Sequence, residues 1–125
     1  MRKLTTHQAT GLNEALAVEV LDKPGEGGAC HLYRIRQITP PNAEQGFSPL
    51  VIHFQEGPIR EAGVNGVSNE ALLAIVEDRL RKFQAGDFAC IENKIAMTHV
   101  LGALQWLRQR TLDREQRGVE GTNQP

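Results

Sequence analysis

The step Gly86-Asp87 separates two stretches whose apolar residues recur at the helical period, and no other feature of this chain restricts its fold so tightly. Ser68 is placed to cap a helix over Asn69 to Gln84, in which Leu72, Ile75, Val76, Leu80 and Phe83 share a face. Gly86 is expected to close that helix and Asp87 to cap the next. There Ile91, Ile95, Met97, Val100, Leu101, Leu104, Leu107 and Thr111 trace a stripe until Gly118 stops it. So short a connection predicts antiparallel helices, of roughly 25 Å and 40 Å at the α-helical rise. The longer arm leaves Leu107, Thr111 and Leu112 in need of another surface, for which a second copy of the chain is the simplest source.

Before the hairpin, Gly and Pro punctuate the chain and the segments between them alternate as half-buried strands do. Ala15 to Leu21 and Cys30 to Ile38 read as two strands joined by the turn residues Asp22 to Gly28. A polar loop with Pro40, Pro41, Gly46 and Pro49 follows, then a strand over Leu50 to Gln55. The sequence GPIREAGVNG, Gly57 to Gly66, reads as an irregular loop with free backbone N–H groups. The predicted class is α+β, with a small antiparallel β-sheet of three or four strands and a glycine-rich loop over 1–67. An antiparallel two-helix hairpin with a short frayed tail, Val119 to Pro125, occupies 68–125.

Fourteen basic residues against fifteen acidic ones exclude the broad positive field that long nucleic acid requires, so any anion site must be local. Cys30 and Cys90 read as reduced thiols. No apolar run approaches the roughly 20 residues of a membrane span, and the expected compartment is the host bacterial cytoplasm. Four Phe, one Tyr and one Trp leave most of the core to aliphatic side chains, which adds to the case for a partner subunit.

Catalytic chemistry finds no foothold. His7, His31, His53 and His99 form no HxxxH spacing, and the cysteines form no CxxC, so no metal or cofactor is expected. Cys90 and His99, on one helix, are turned about 180° apart and cannot make a thiolate–imidazole pair. The basic residues are more telling. Arg110, Arg114 and Arg117 fall at i, i+4 and i+7 on the second helix, where they either grip phosphate oxygens or form a solvated helix end. Arg34 and Arg36 share a strand face that is either solvent-facing or a ligand wall. Phe83 and Asn93 flank the hairpin tip. Each is ordinary there, but an aromatic face beside an amide is what a purine base wants. Two readings stay open: a non-enzymatic binder of an anionic nucleotide, and an accessory module that meets nucleic acid or protein through the Arg stripe.

The glycine loop, NEALLAIV, FQ-G-FAC-EN and the terminal R-x-x-D-R-x-x-RGVEG, spread over Phe54 to Thr122, resemble the phage and prophage family known as Thoeris anti-defence protein one. TGLNEA, and GGA before HLYRI, resemble it more loosely. The resemblance implies a sheet followed by a helical hairpin, and a protein that sequesters cyclic ADP-ribose isomers made by bacterial TIR-domain sensors without cleaving them. Some members also hold CBASS cyclic oligonucleotides at separate sites, so cyclic di- or trinucleotides are a second implied ligand class. Homo-oligomers, dimers or trimers of dimers, are implied as well. The matching ligand-binding positions are Phe83, Asn93, Arg110 and Arg114, undivided between the two ligand classes. This chain departs from the family's G-P-F-A-C-R-E-N with Asp87 for Pro and Ile91 for a cation.

Overall fold

The computed structural model describes residues 1–38 and 46–125. Pro40 and Pro41 of the expected polar loop lie outside the described residues. Two compact units are present: Met1–Gly57 with Val64–Gly66, and Pro58–Gly63 with Val67–Pro125.

The first unit is a four-stranded antiparallel sheet in the order β1-β2-β3-β4, formed by Arg2–Leu4, Leu16–Val20, Leu32–Gln37 and Leu50–His53. Three of these fall inside the expected strands. The first, only three residues long, carries too little alternation to be read locally, and it is made by pairing with β2. Strand alternation sorts the side chains. Leu4, Val18, Val20, Tyr33, Ile35 and Ile52 take one face, while Lys3, Glu19, Arg34, Arg36 and Val51 take the other. On the apolar face Tyr33 meets Phe54 edge-on, with ring centroids 5.4 Å apart. Gly66 approaches the backbone of Phe54 so closely that a Cβ would lie 2.4 Å from its carbonyl carbon, which restricts this position to glycine.

Two carboxylates in this unit are held below their ordinary values. Glu19 is lowered first by the hydrogen bond from Arg34, then by that from Arg36, and further by their charges. Asp22 is lowered chiefly by the main-chain N–H of His31, at 2.9 Å. A folded-state value below the unfolded one means that the unfolded chain binds more protons as the pH falls, so stability falls with it. The contribution is complete above the ordinary Glu and Asp values of 4.5 and 3.8 and is lost as the pH drops through the lowered ones. Urea unfolding followed by Tyr33, which reports the sheet, is expected to show a midpoint that falls steadily below pH 4.5 and a flatter profile in Glu19→Gln. An unchanged profile in that variant would remove Glu19 as the titrating group.

In the second unit α1 spans Ile59–Ala62, α2 Asn69–Gln84 and α3 Ile91–Gln116. The four residues of α1 correct the expectation of an irregular Gly57–Gly66 loop, and Pro58 precedes them with φ near the value a helix start requires. The span of α2 matches the sequence reading, and Ser68 Oγ accepts the Ala71 N–H at 3.1 Å. The start of α3 does not match. Asp87 caps nothing; Gln84 Oε1 accepts the Cys90 N–H at 2.9 Å, and Cys90 Sγ caps by accepting from the Asn93 N–H at 3.4 Å. α2 and α3 pack antiparallel with 16 and 26 residues, so the arms are unequal as expected.

Among the described residues, Ala17 and Val20 are the buried apolar side chains, while Ile75, Ile91, Ile95, Trp106 and Leu112 are exposed on the helices. A single chain therefore leaves a substantial part of the hairpin's apolar surface wet.

Candidate functional site

Phe83 lies in the last turn of α2 and Asn93 in the first turn of α3, so the two meet the same end of the hairpin, as the sequence reading required. Phe83 keeps 41% of its surface exposed, which a core phenylalanine would not. The Arg79 guanidinium stands over its ring, 5.6 Å from the centroid, in a cation–π contact. Asp78, Arg79, Lys82 and Phe83 line an open hollow of about 410 Å³. Its chemistry is an aromatic ring with one cation over its face, a second cation from Lys82 and one carboxylate from Asp78. Arg79 was missed in the sequence reading, although its position four residues before Phe83 on one helix face is the signal that could have found it. Asn93 is half-buried and contributes its main-chain N–H to the Cys90 cap. Beside it Phe88 and Ile91 are open to solvent, at 77% and 61%.

Arg110 and Arg114 belong to the far end of α3. Seventeen residues separate Asn93 from Arg110, or about 25 Å at the α-helical rise. The four predicted ligand residues therefore fall into two groups within one chain. Arg110 is exposed. Arg114 is buried, with 6% of its surface accessible, and so is not part of a solvated helix end.

The burial follows from the way α3 stops. Gly118 adopts φ +72°, Gly118 N–H bonds the Glu115 carbonyl and Val119 N–H bonds the Arg114 carbonyl, both at 3.0 Å, which is a Schellman closure. The chain folds back on its helix. Arg114 then donates Nε to Glu120 Oε2 at 2.9 Å and its terminal nitrogens to the carbonyls of Gln124, Val119 and Thr122 at 2.7, 3.0 and 3.2 Å. Gly121 accepts from the Arg60 N–H at 3.2 Å. Residues 119–124 are thus a hook fastened by one guanidinium, where the sequence reading expected a frayed tail. Four of the five N–H groups of Arg114 are engaged.

Among the described residues no group of three or more His, Cys, Asp or Glu is placed to hold a metal ion, and no helix is long and apolar enough to cross a membrane.

A four-stranded antiparallel sheet followed in sequence by an unequal helical hairpin, with an exposed aromatic–cation tip, defines a sheet-and-hairpin protein. The family can be stated more closely: the model of the Acb2/Tad1 hairpin domain matches residues 48–112, and the chain belongs to that family. It is similar to "Thoeris anti-defense 1" of Bacillus phage SBSphiJ7, with 53% identity over 73 residues, which cover 58% of this chain and 51% of that protein. The chain thus spans about half the length of the curated relative it matches.

Proposed function

We propose that this protein is an anti-defence sponge, which binds a cyclic nucleotide immune signal in the bacterial cytoplasm and holds it without cleaving it. The observation that carries the reading is the exposed Phe83 ring, with Arg79 over its face and Lys82 lining the same hollow, on a chain of the Acb2/Tad1 hairpin family. A base stacks on an aromatic face at a strength of about 1–3 kcal/mol, and guanidinium groups take phosphate oxygens bidentately. Phe83 and Asn93 receive the base in this reading, with Arg79 turning from the ring towards phosphate. Arg110 and the remaining N–H of Arg114 serve a second, separate anion site at the other end of α3. Cyclic ADP-ribose isomers are the first ligand class, as the family resemblance implies, and cyclic di- or trinucleotides are the second.

The apolar side chains left open on α2 and α3 support a homo-oligomer, a dimer or a trimer of dimers, in which a second copy covers them and helps to enclose ligand. Sequestration needs no chemistry, only a dissociation constant well below the signalling concentration. The competing accessory-module reading needs the whole Arg110, Arg114 and Arg117 stripe open, and it is weakened because the hook leaves Arg114 a single N–H.

The test is calorimetric titration of the purified protein with cyclic ADP-ribose isomers and, separately, cyclic trinucleotides, followed by heat denaturation and analysis of the released ligand. Intact ligand at a fixed ratio per subunit is expected. Altered ligand would mean an enzyme, and binding of neither class would remove the sponge reading.

A further inference from the structure

A further cationic cluster stands within the sheet unit, built from residues that neither of the proposed hairpin ligand sites uses. Glu19 on β2 has no accessible surface, and its Oε1 accepts from Arg34 Nε at 2.8 Å and from Arg36 Nε at 3.0 Å. Arg34 is its direct cross-strand partner. Arg36 pairs with Ala17 and reaches Glu19 diagonally, across the small alanine side chain. Because both Nε atoms bond one oxygen, two guanidinium groups are held within about 6 Å of each other.

One carboxylate offsets only one of those two charges, and Lys3 stands opposite Glu19 on the other side of β2, on the same face. A device that served only to fix strand register would need a single Arg–Glu pair. Here a second like charge is brought close at an electrostatic cost that a bound anion would relieve. The donors for that anion are present. Each guanidinium uses Nε on Glu19, leaving its terminal nitrogens, and both side chains remain about one-third exposed. Among the described residues the one further bond from these nitrogens is from Arg34 to the Met1 sulfur, at a weak 3.6 Å. The buried carboxylate restrains both forks before any ligand arrives, which lowers the entropy lost on binding.

We propose that the Arg34–Arg36 pair, clamped by buried Glu19, is a binding site for a compact polyphosphate group, of the kind a pyrophosphate or nucleoside diphosphate carries. The site does not depend on the hairpin reading, since it lies wholly within the sheet unit.

The test uses the intact protein, labelled with ¹⁵N, and inorganic pyrophosphate as the probe, with the Nε–Hε resonances of Arg34 and Arg36 as the readout. Saturable shifts of these two signals are expected, at constant ionic strength, and chloride at equal ionic strength should not reproduce them. Arg36→Gln is expected to weaken pyrophosphate binding at this site about tenfold, the loss of one charge-assisted contact, whereas Phe83→Ala and Arg110→Gln should leave it unchanged. ADP in place of pyrophosphate separates the sources: tighter binding assigns the site to a nucleotide, equal binding to the free anion. Unmoved Arg34 and Arg36 signals, or shifts confined to arginines of α3, overturn the proposal even if the hairpin binds its own ligand. The wild-type titration stands should Arg36→Gln fail to fold.

Discussion

Arg114→Ala is expected to lower the unfolding free energy of the hairpin unit by about 3 kcal/mol, the range for removing one partner of a buried charged pair. The change strips four hydrogen bonds from residues 119–124 together and leaves the Glu120 carboxylate and the Gln124 and Thr122 carbonyls without that donor, while the Val119 carbonyl keeps its bonds from Thr122. Part of that loss is recovered by water, because Glu120 is one-third exposed and a freed hook can hydrate its carbonyls. Arg114→Lys should recover less than half, since an ammonium cannot reach a carboxylate and three carbonyls in one fork geometry. Denaturant unfolding followed by Trp106 on α3 reads the loss, and amide exchange at Val119, Thr122 and Arg60 should rise first. A change below about 0.5 kcal/mol, the scale of ordinary surface substitutions, would show that the hook is not held by this side chain. The same variant bears on function. If Arg114 also reaches ligand, part of any binding defect in Arg114→Ala is structural, and the Lys variant is the cleaner probe of the two.

Phe83→Ala is expected to weaken cyclic nucleotide binding at the hairpin tip by roughly ten- to hundredfold, the equivalent of one lost base–aromatic stack. Stability should change by less than about 1 kcal/mol, because the ring is already 41% exposed and its removal opens little cavity. Phe83→Trp should retain binding, as a larger π-face still offers a stack. Arg79→Ala is expected to weaken binding by about three- to tenfold, the scale of a partly exposed cation–π or phosphate contact. Calorimetry on the four proteins, with thermal melts alongside, separates the ring from the charge. Full affinity in Phe83→Ala would move the base site away from the tip and leave the ring as surface.

The two helices were legible because their determinants are local. Ser68 as a cap, the apolar period through Phe83, and a glycine at 118 act within one or two turns of the residues they organise, and α2 begins and ends where they place it. The start of α3 was misread for an equally local reason. Asp87 is the better capping residue by type, but the Gln84 side chain bonds the Cys90 N–H across the connection and defers the helix by three residues. The candidate ligand residues could be named from their types and their motif, yet their grouping could not. Helical rise separates Asn93 from Arg110, and neither the burial of Arg114 nor the cation over Phe83 is written in any one residue's identity.

Side-chain pattern and capping chemistry, which act over a few residues, were thus enough for the α+β class, the order of sheet before hairpin and the unequal arms. Folding alone decided the rest. A three-residue first strand exists only because β2 is there to pair with it, and Glu19 is buried only because Arg34 and Arg36 fold over it from the neighbouring strand. A basic helix end became the clasp of a hook because Gly118 turned the chain back upon Arg114. Each of these outcomes rests on partners brought together by chain reversal, and the energy of a charge or an unpaired backbone group depends on what lies beside it in space.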